Sequence, residues 1–307
     1  MEREELSADD AWHTLRRYGG WELVRDAFQR FRYGDGFSHA RALGLQLSLA
    51  ALPFLIALTG LASQVGALQG RIIAETVLAL TPGASKSLVD ELLTNERTAS
   101  IGRAALIVGL VIAMVALTTA VGQVERGANR IYGVERDRPA LPKYRRALIL
   151  AVFAGLPALL GFLILVAGEP LGASLQRGYG WGPDTQTAWT IARWPVSLGL
   201  TILTVAILFR YAPRRHQPGL SWLLFGAGIA TVLWWLISLG LAWYIGVSGS
   251  FAGTYGALTA IMALLLWANL TGMALFFGIA FAAQLEAIRA GVREPTVADR
   301  WQPLEER

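Results

Sequence analysis

HQPGLSWLLFGAGIATVLWWLISLGLAWYIGVSGSFAGTYGALTAIMALLLWANLTGMALFFGIAFAAQL, residues 216–285, contains no Asp, Glu, Lys or Arg. A hydrocarbon layer about 30 Å thick needs roughly 20 apolar residues per helical crossing. The run is long enough for two, with a glycine-rich break from Gly246 to Gly256 to turn the chain. It reads as a helical hairpin in lipid.

Working outward, further stretches free of acids and bases occur at 42–70, 104–124, 147–168 and 194–209. The predicted fold class is all-α: a polytopic membrane protein with six transmembrane helices plus short interfacial helices. The spans are expected near 42–64, 104–124, 147–168, 188–209, 219–245 and 257–284. The fourth includes Arg193 near one end, where the side chain can snorkel between Trp189 and Trp194. The chain divides into an N-terminal segment, 1–41, a transmembrane domain, 42–285, and a tail, 286–307, expected to be mobile. No cleavable signal is visible ahead of Ala42, so the first span is expected to serve as an uncleaved anchor.

Hydrophobic residues make up 54% of the 307 and charged residues 16%, against roughly 25% charged in soluble domains. Of the 27 basic residues, 21 fall in segments 1–41, 125–146, 210–218 and 286–307. The positive-inside rule then places both termini in the cytoplasm, and the expected location is a bacterial cytoplasmic (inner) membrane. The formal charge of +5 is thereby a matter of topology and anionic lipid. It calls for no nucleic-acid partner.

The absence of cysteine excludes disulfides and thiolate chemistry, and three histidines offer little for a metal site. No HExxH, GxxxxGK[ST] or GxSxG pattern is present. The expectation is no enzyme, no metal and no cofactor. Outside the spans, Trp21, Val24, Phe28 and Phe31 recur at helical spacing among arginines, which suits an interfacial helix. Segment 65–103 is expected to hold two short outer helices, near 68–80 and 87–95. Segment 169–193 reads as a Gly- and Trp-rich outer loop.

If the second helix continues past its apolar part, Glu125 and Asn129 share one face, and Arg126 and Arg130 another. Two arginines a turn apart at the membrane surface can grip a phosphate or carboxylate. Positive-inside anchoring with an Arg–Glu ion pair explains them equally simply. Arg210 joins them from the turn Phe209–Arg215. Inside the spans, Gln46, Ser48, Thr118, Thr119, Gln123, Asn269 and Thr271 are polar groups that lipid does not tolerate unpaired. Interhelical hydrogen bonds are the plain alternative to a ligand. Pro53 and Pro157 are placed to bend the first and third spans.

Several segments resemble the YihY/BrkB family of bacterial inner-membrane proteins, once labelled ribonucleases. They are Ala51-Leu52-Pro53-Phe54, Ala128-Asn129-Arg130-Ile131-Tyr132-Gly133-Val134 and Arg210-Tyr211-Ala212-Pro213. Tyr244, Tyr255-Gly256-Ala257-Leu258 and Leu264-Leu265-Leu266-Trp267 follow in order. The resemblance implies six helices with both termini inside, and members have been proposed as lipid or solute transporters. It marks Pro53, Tyr132, Pro213, Tyr255, Gly256 and Trp267 as structural. The chain departs from the pattern at Gly278-Ile279-Ala280, which lacks the acid common in that step, so proton coupling through it is not expected. A second departure is the first span's start, Gly44-Leu45-Gln46-Leu47-Ser48.

The leading expectation is a transporter-like protein handling a lipid or amphipathic anion. Arg126, Asn129, Arg130 and Arg210 would meet the head group, and Gln46 and Asn269 would offer contacts within the bundle. The alternative is a non-transporting scaffold for envelope assembly that uses the outer helices. Membrane lipids are the expected partners, and self-association is compatible with the sequence.

Overall fold

The computed structural model describes residues 6–18, 20–62, 98–179, 182–247 and 258–292. Among these residues the long regular elements are all α-helices: α1 (Ala8–Tyr18), α2 (Trp21–Tyr33), α3 (Gly36–Ala62), α4 (Thr98–Ile131), α5 (Ala140–Tyr179), α6 (Pro183–Tyr211), α7 (Leu220–Val247) and α8 (Thr259–Arg289). Each of α3 to α8 holds a stretch long and apolar enough to cross a membrane: Gly36–Leu58, Leu106–Ile131, Ala140–Leu165, Asp184–Tyr211, Leu220–Val247 and Ile261–Arg289. This is a multi-span membrane protein. Its large apolar side chains point outward as well as inward. Ile107, Val108, Val111 and Val115 on α4 and Phe153, Leu156 and Leu160 on α5 are exposed, as lipid-facing surfaces require.

The helices outrun the apolar stretches that announce them. α5 has 40 residues, about 60 Å at 1.5 Å per residue, twice the hydrocarbon thickness. It continues to Tyr179, and α6 begins at Pro183. The expected loop 169–193 is therefore mostly helix. Charges mark where lipid ends, but they do not stop a helix. The stop comes at Gly182 and Pro183, with proline in the first turn of α6, where its missing N–H costs nothing. The same extension carries α4 to Ile131. There Gly133 adopts φ +73° and the amides of Gly133 and Val134 return to the carbonyls of Arg130 and Asn129 at 3.1 and 2.7 Å, a Schellman end. The outer segments at 68–80 and 87–95, on which the scaffold reading depends, lie outside the described residues, as do Tyr255 and Gly256.

α8 is the central element. It packs against α3 on one side and α7 on another, with α2 lying against it. Small residues let the backbones meet. A Cβ added at Gly278 would sit 2.6 Å from the Gly226 carbonyl oxygen of α7, and one at Gly226 would sit 2.7 Å from that of Gly278. On the α3 side, Gly44 faces the Asn269 backbone at 2.7 Å and Gly272 faces the Ala40 carbonyl at 2.7 Å on the same construction. Within lipid, such small-residue seams replace the hydrophobic effect with close van der Waals packing. At Pro53, α3 presses its carbonyl onto Gly109 of α4, 2.8 Å from where a Cβ would be. The bend there closes a helix pair.

The interfacial expectation for α2 holds with a different division of residues. Leu23, Ala27 and Phe31 are buried, while Trp21, Val24 and Phe28 are exposed. Leu23, Ala27 and Phe31 follow the i, i+4, i+8 spacing of one face, which puts Phe31 with the core and the other three on the outer side. At the opposite end, Trp189 donates its indole N–H to the Gly168 carbonyl at 2.6 Å. Arg193 lies alongside Gly168, its guanidinium 5.8 Å from the Trp194 ring.

Gly278→Leu should separate α7 from α8 and lower the unfolding midpoint in detergent, at a cost of at least about 1–3 kcal/mol. Gly228→Leu, where nothing lies within 4 Å of an added Cβ, should leave it unchanged. Equal midpoints would show that the seam does not hold the bundle.

Candidate functional site

The last two turns of α4 carry Glu125, Arg126, Asn129 and Arg130 beyond the apolar run. Asn129 is completely buried. Its Nδ2 donates to Asp137 Oδ1 at 2.9 Å, and its Oδ1 accepts the Arg214 amide at 2.7 Å. Asp137 Oδ2 accepts from Lys143 Nζ at 3.1 Å and lies 3.3 Å from Arg126 Nε. Burial pushes the Asp137 carboxyl up. The hydrogen bonds from Asn129 and Lys143, with the Lys143 charge and Arg126, outweigh burial and hold it below the ordinary 3.8. Stability drawn from Asp137 is thus complete above the ordinary aspartate range and disappears as pH falls through the depressed value.

Beside this joint, Glu125 pairs with Arg138 at 3.2 Å, its side chain 3% exposed. Arg138 also donates to the carbonyls of Ala212 and Pro213 at 2.9 and 2.8 Å. Arg214 donates back to the Asp137 carbonyl at 2.8 Å, and Arg146 to that of Tyr211 at 3.0 Å. The end of α4, the 132–139 segment and the 212–219 segment are therefore stitched together by charge-assisted bonds, the form in which buried ions are tolerated.

The residues singled out from sequence divide on this frame. Asn129 is a joint within the protein. Arg126 is half exposed and leans on Asp137, with a side-chain exposure of 54%. Arg130 is exposed and has no ion pair among the described residues. Arg210 donates to the Pro218 carbonyl at 3.4 Å and sits 5.8 Å from the Tyr211 ring. Tyr132 lies under the Arg215 guanidinium at 4.5 Å, and Arg215 pairs with Glu286. Pro213 is fully buried. Trp267 donates to Ser238 Oγ at 3.0 Å and meets the Trp234 ring edge-on at 6.3 Å. Asp137, Arg138, Lys143, Arg214 and Arg215 carried no local signal, because their partners are mostly distant in sequence.

Within the bundle, Ser48, Thr118 and Thr119 satisfy their hydroxyls on carbonyls of their own helices. Gln123 on α4 reaches His39 on α3, Nε2 to Nδ1 at 2.8 Å. Gln46 Oε1, Asn269 Oδ1 and Thr271 Oγ1 are different. All three are buried with no hydrogen-bond partner among the described residues. They come from the two helices of the Gly44–Asn269 seam.

Replacing Asn129 with Ala should cost about 1–3 kcal/mol for each buried partner it leaves unmet. The measurement is the thermal or denaturant midpoint of the purified protein. An unchanged midpoint would remove Asn129 from its role as the joint.

The family model described as virulence factor BrkB matches residues 27–302. The ribonuclease-like protein YfkH of Bacillus subtilis is 23% identical over 256 residues, covering 83% of this chain and 92% of that protein. A UPF0761 membrane protein of Chromohalobacter salexigens is 28% identical over 295 residues, covering 93% of this chain and 67% of that protein. A UPF0761 membrane protein of Xanthomonas campestris is 25% identical over 271 residues, and the chain spans 61% of its length. No solved structure matches at a significant level. With six spanning helices and a family match over almost its whole length, the chain belongs to the YihY/BrkB family of integral membrane proteins.

Proposed function

We propose that this protein binds an amphipathic anion, of which an anionic membrane lipid is the simplest case, and carries it between the basic end of the bundle and the polar seam inside. The observation that carries this reading is the trio of unmet oxygens, Gln46 Oε1, Asn269 Oδ1 and Thr271 Oγ1. Unpaired polar groups at membrane depth are costly and mark polar pathways. A head group or its water meets these acceptors in passing. Arg126 and Arg130 stand at the rim, Arg130 without an ion pair among the described residues, and anionic head groups are drawn to such a surface. Basic residues on one side of the spans put that rim at the cytoplasmic face of an inner membrane.

Arginines and acceptors divide the work. The rim supplies charge and the seam supplies only dipoles, so the passenger must carry its own apolar part into the bundle. A small bare ion would find no countercharge there. A nuclease reading, suggested by the name of the Bacillus relative, has less support. Glu125, Asp137 and Glu286 are each occupied by an arginine or lysine, which removes the acids at this end from general-base duty.

The test uses protein purified into maltoside and reconstituted in liposomes containing phosphatidylglycerol. Arg126→Gln with Arg130→Gln should weaken lipid retention in native mass spectra by about tenfold or more. Asn269→Leu should slow passage of a labelled phosphatidylglycerol between leaflets while leaving rim binding intact. Unaltered retention and passage in all of these variants would overturn the proposal.

A further inference from the structure

A second polar cluster forms where α2, the end of α4, the 212–219 segment and the end of α8 converge. It shares no side chain with the rim or seam described above. Arg30 on α2 donates its Nε–H to Gln284 Oε1 at 2.8 Å, and Gln284 is fully buried. Glu286, two residues on, pairs with Arg215. The Arg215 guanidinium covers the Tyr132 ring at 4.5 Å, and Gln217 lies beside the Tyr132 hydroxyl. Arg30 is coupled electrostatically to Glu286 and Arg215, so the six groups form one neighbourhood.

Its base is poorly satisfied. Gln217 is 4% exposed, and neither its Nε2 nor its Oε1 has a hydrogen bond among the described residues. Tyr132 Oη and Glu286 Oε2 are buried and unmet in the same way. Each unmet buried group costs about 1–3 kcal/mol, so several around one point call for a further polar group among them. The cluster also has a way in, because the Arg215 and Glu286 side chains are 28% and 24% exposed.

The chemistry of the lining narrows the ligand. Two guanidiniums against one carboxylate leave a single positive charge, which a monoanion neutralises. Burial pulls the Arg30 guanidinium below its ordinary value, and neighbouring Glu286 opposes this; a bound anion would restore it. Guanidinium forks match phosphate oxygens, and the Tyr132 O–H and Gln217 amide add two neutral donors. Glu286 Oε2 and Gln217 Oε1 are acceptors, so the ligand must also donate. Dihydrogen phosphate does so through P–OH, and a phosphodiester does so through a neighbouring hydroxyl. Sulfate has no hydrogen to offer. We propose that Arg30, Tyr132, Arg215, Gln217 and Glu286 form a binding site for a phosphate group that carries a hydroxyl, either free phosphate or the head group of a phospholipid. Occupation of this site does not require that anything cross the membrane.

The experiment is thermal unfolding of the full chain in maltoside with three probes: inorganic phosphate, short-chain phosphatidylglycerol below its micellar concentration, and sulfate. Phosphate or phosphatidylglycerol should raise the midpoint and sulfate should not. A response to phosphatidylglycerol alone assigns the site to a lipid head group, and a response to phosphate alone assigns it to a soluble anion. Tyr132→Phe and Gln217→Leu delete atoms with no partner in the fold. Without probe, both variants should match or exceed the parent midpoint, yet need about tenfold more probe for half the effect. The Arg126→Gln/Arg130→Gln protein should respond like the parent, which separates this site from the rim. No response to either phosphate probe, an undiminished response in both variants, or loss of probe-free stability in both would overturn the assignment.

Discussion

Contact between helix backbones along α8 holds this molecule together. Lipid tails are as apolar as leucine, so burying leucines between helices gains little in a bilayer, and close approach with its dispersion energy has to do the work. The approach depends on missing side chains. Gly226 and Gly278 bring α7 onto α8, and Gly44 and Gly272 bring α3 onto it from the other side. With α8 gripped twice, its end is positioned against α2 and the 212–219 segment. The side chains Gln284 and Glu286 then become anchors for Arg30 and Arg215.

The basic end follows a different physics. There the chain has left the hydrocarbon, and the ions are held in a network that excludes much of the water. Asn129 occupies its centre, bonded to a side chain on one side and a backbone amide on the other. A polar but uncharged residue suits that place because it joins two segments without adding a charge that needs its own partner. Around it, arginines bond to carbonyl oxygens at the end of α6, where the helix dipole favours cations. The result is a rigid platform with a few arginines left on its rim. Rigidity at the platform and unmet oxygens in the seam are complementary features for a protein that receives a charged head at one place and tolerates a polar one at another.

Much of the architecture was legible because its cause is compositional. A run without charge from residue 216 to 285 has few fates other than lipid, and the spacing of such runs yields six crossings with their order. Element ends were less legible. Charges at Arg177 and Arg193 looked like boundaries of a loop, but a helix leaving the membrane keeps its backbone bonds and simply changes solvent. The stripe on α2 was misassigned at Phe31, since aromatic residues that recur at near-helical spacing can belong to either side of a helix at an interface.

The candidate site was legible only in part. Arg126, Asn129 and Arg130 stood out by their spacing, yet spacing treats them alike, and one of the three is a buried joint. Sequence by itself determined that the chain crosses a membrane six times, which helices do so, and which end is basic. These follow from the free energy of moving each segment between water and lipid, a sum over neighbouring residues. Tertiary structure alone decided which polar groups are spent and which remain unmet. Arg138 finds Ala212 and Pro213, Arg30 finds Gln284, and Gln46, Asn269, Gln217 and Tyr132 find nothing among the described residues. Hydrogen bonds act over about 3 Å between residues far apart in the chain, and no local pattern encodes their meeting.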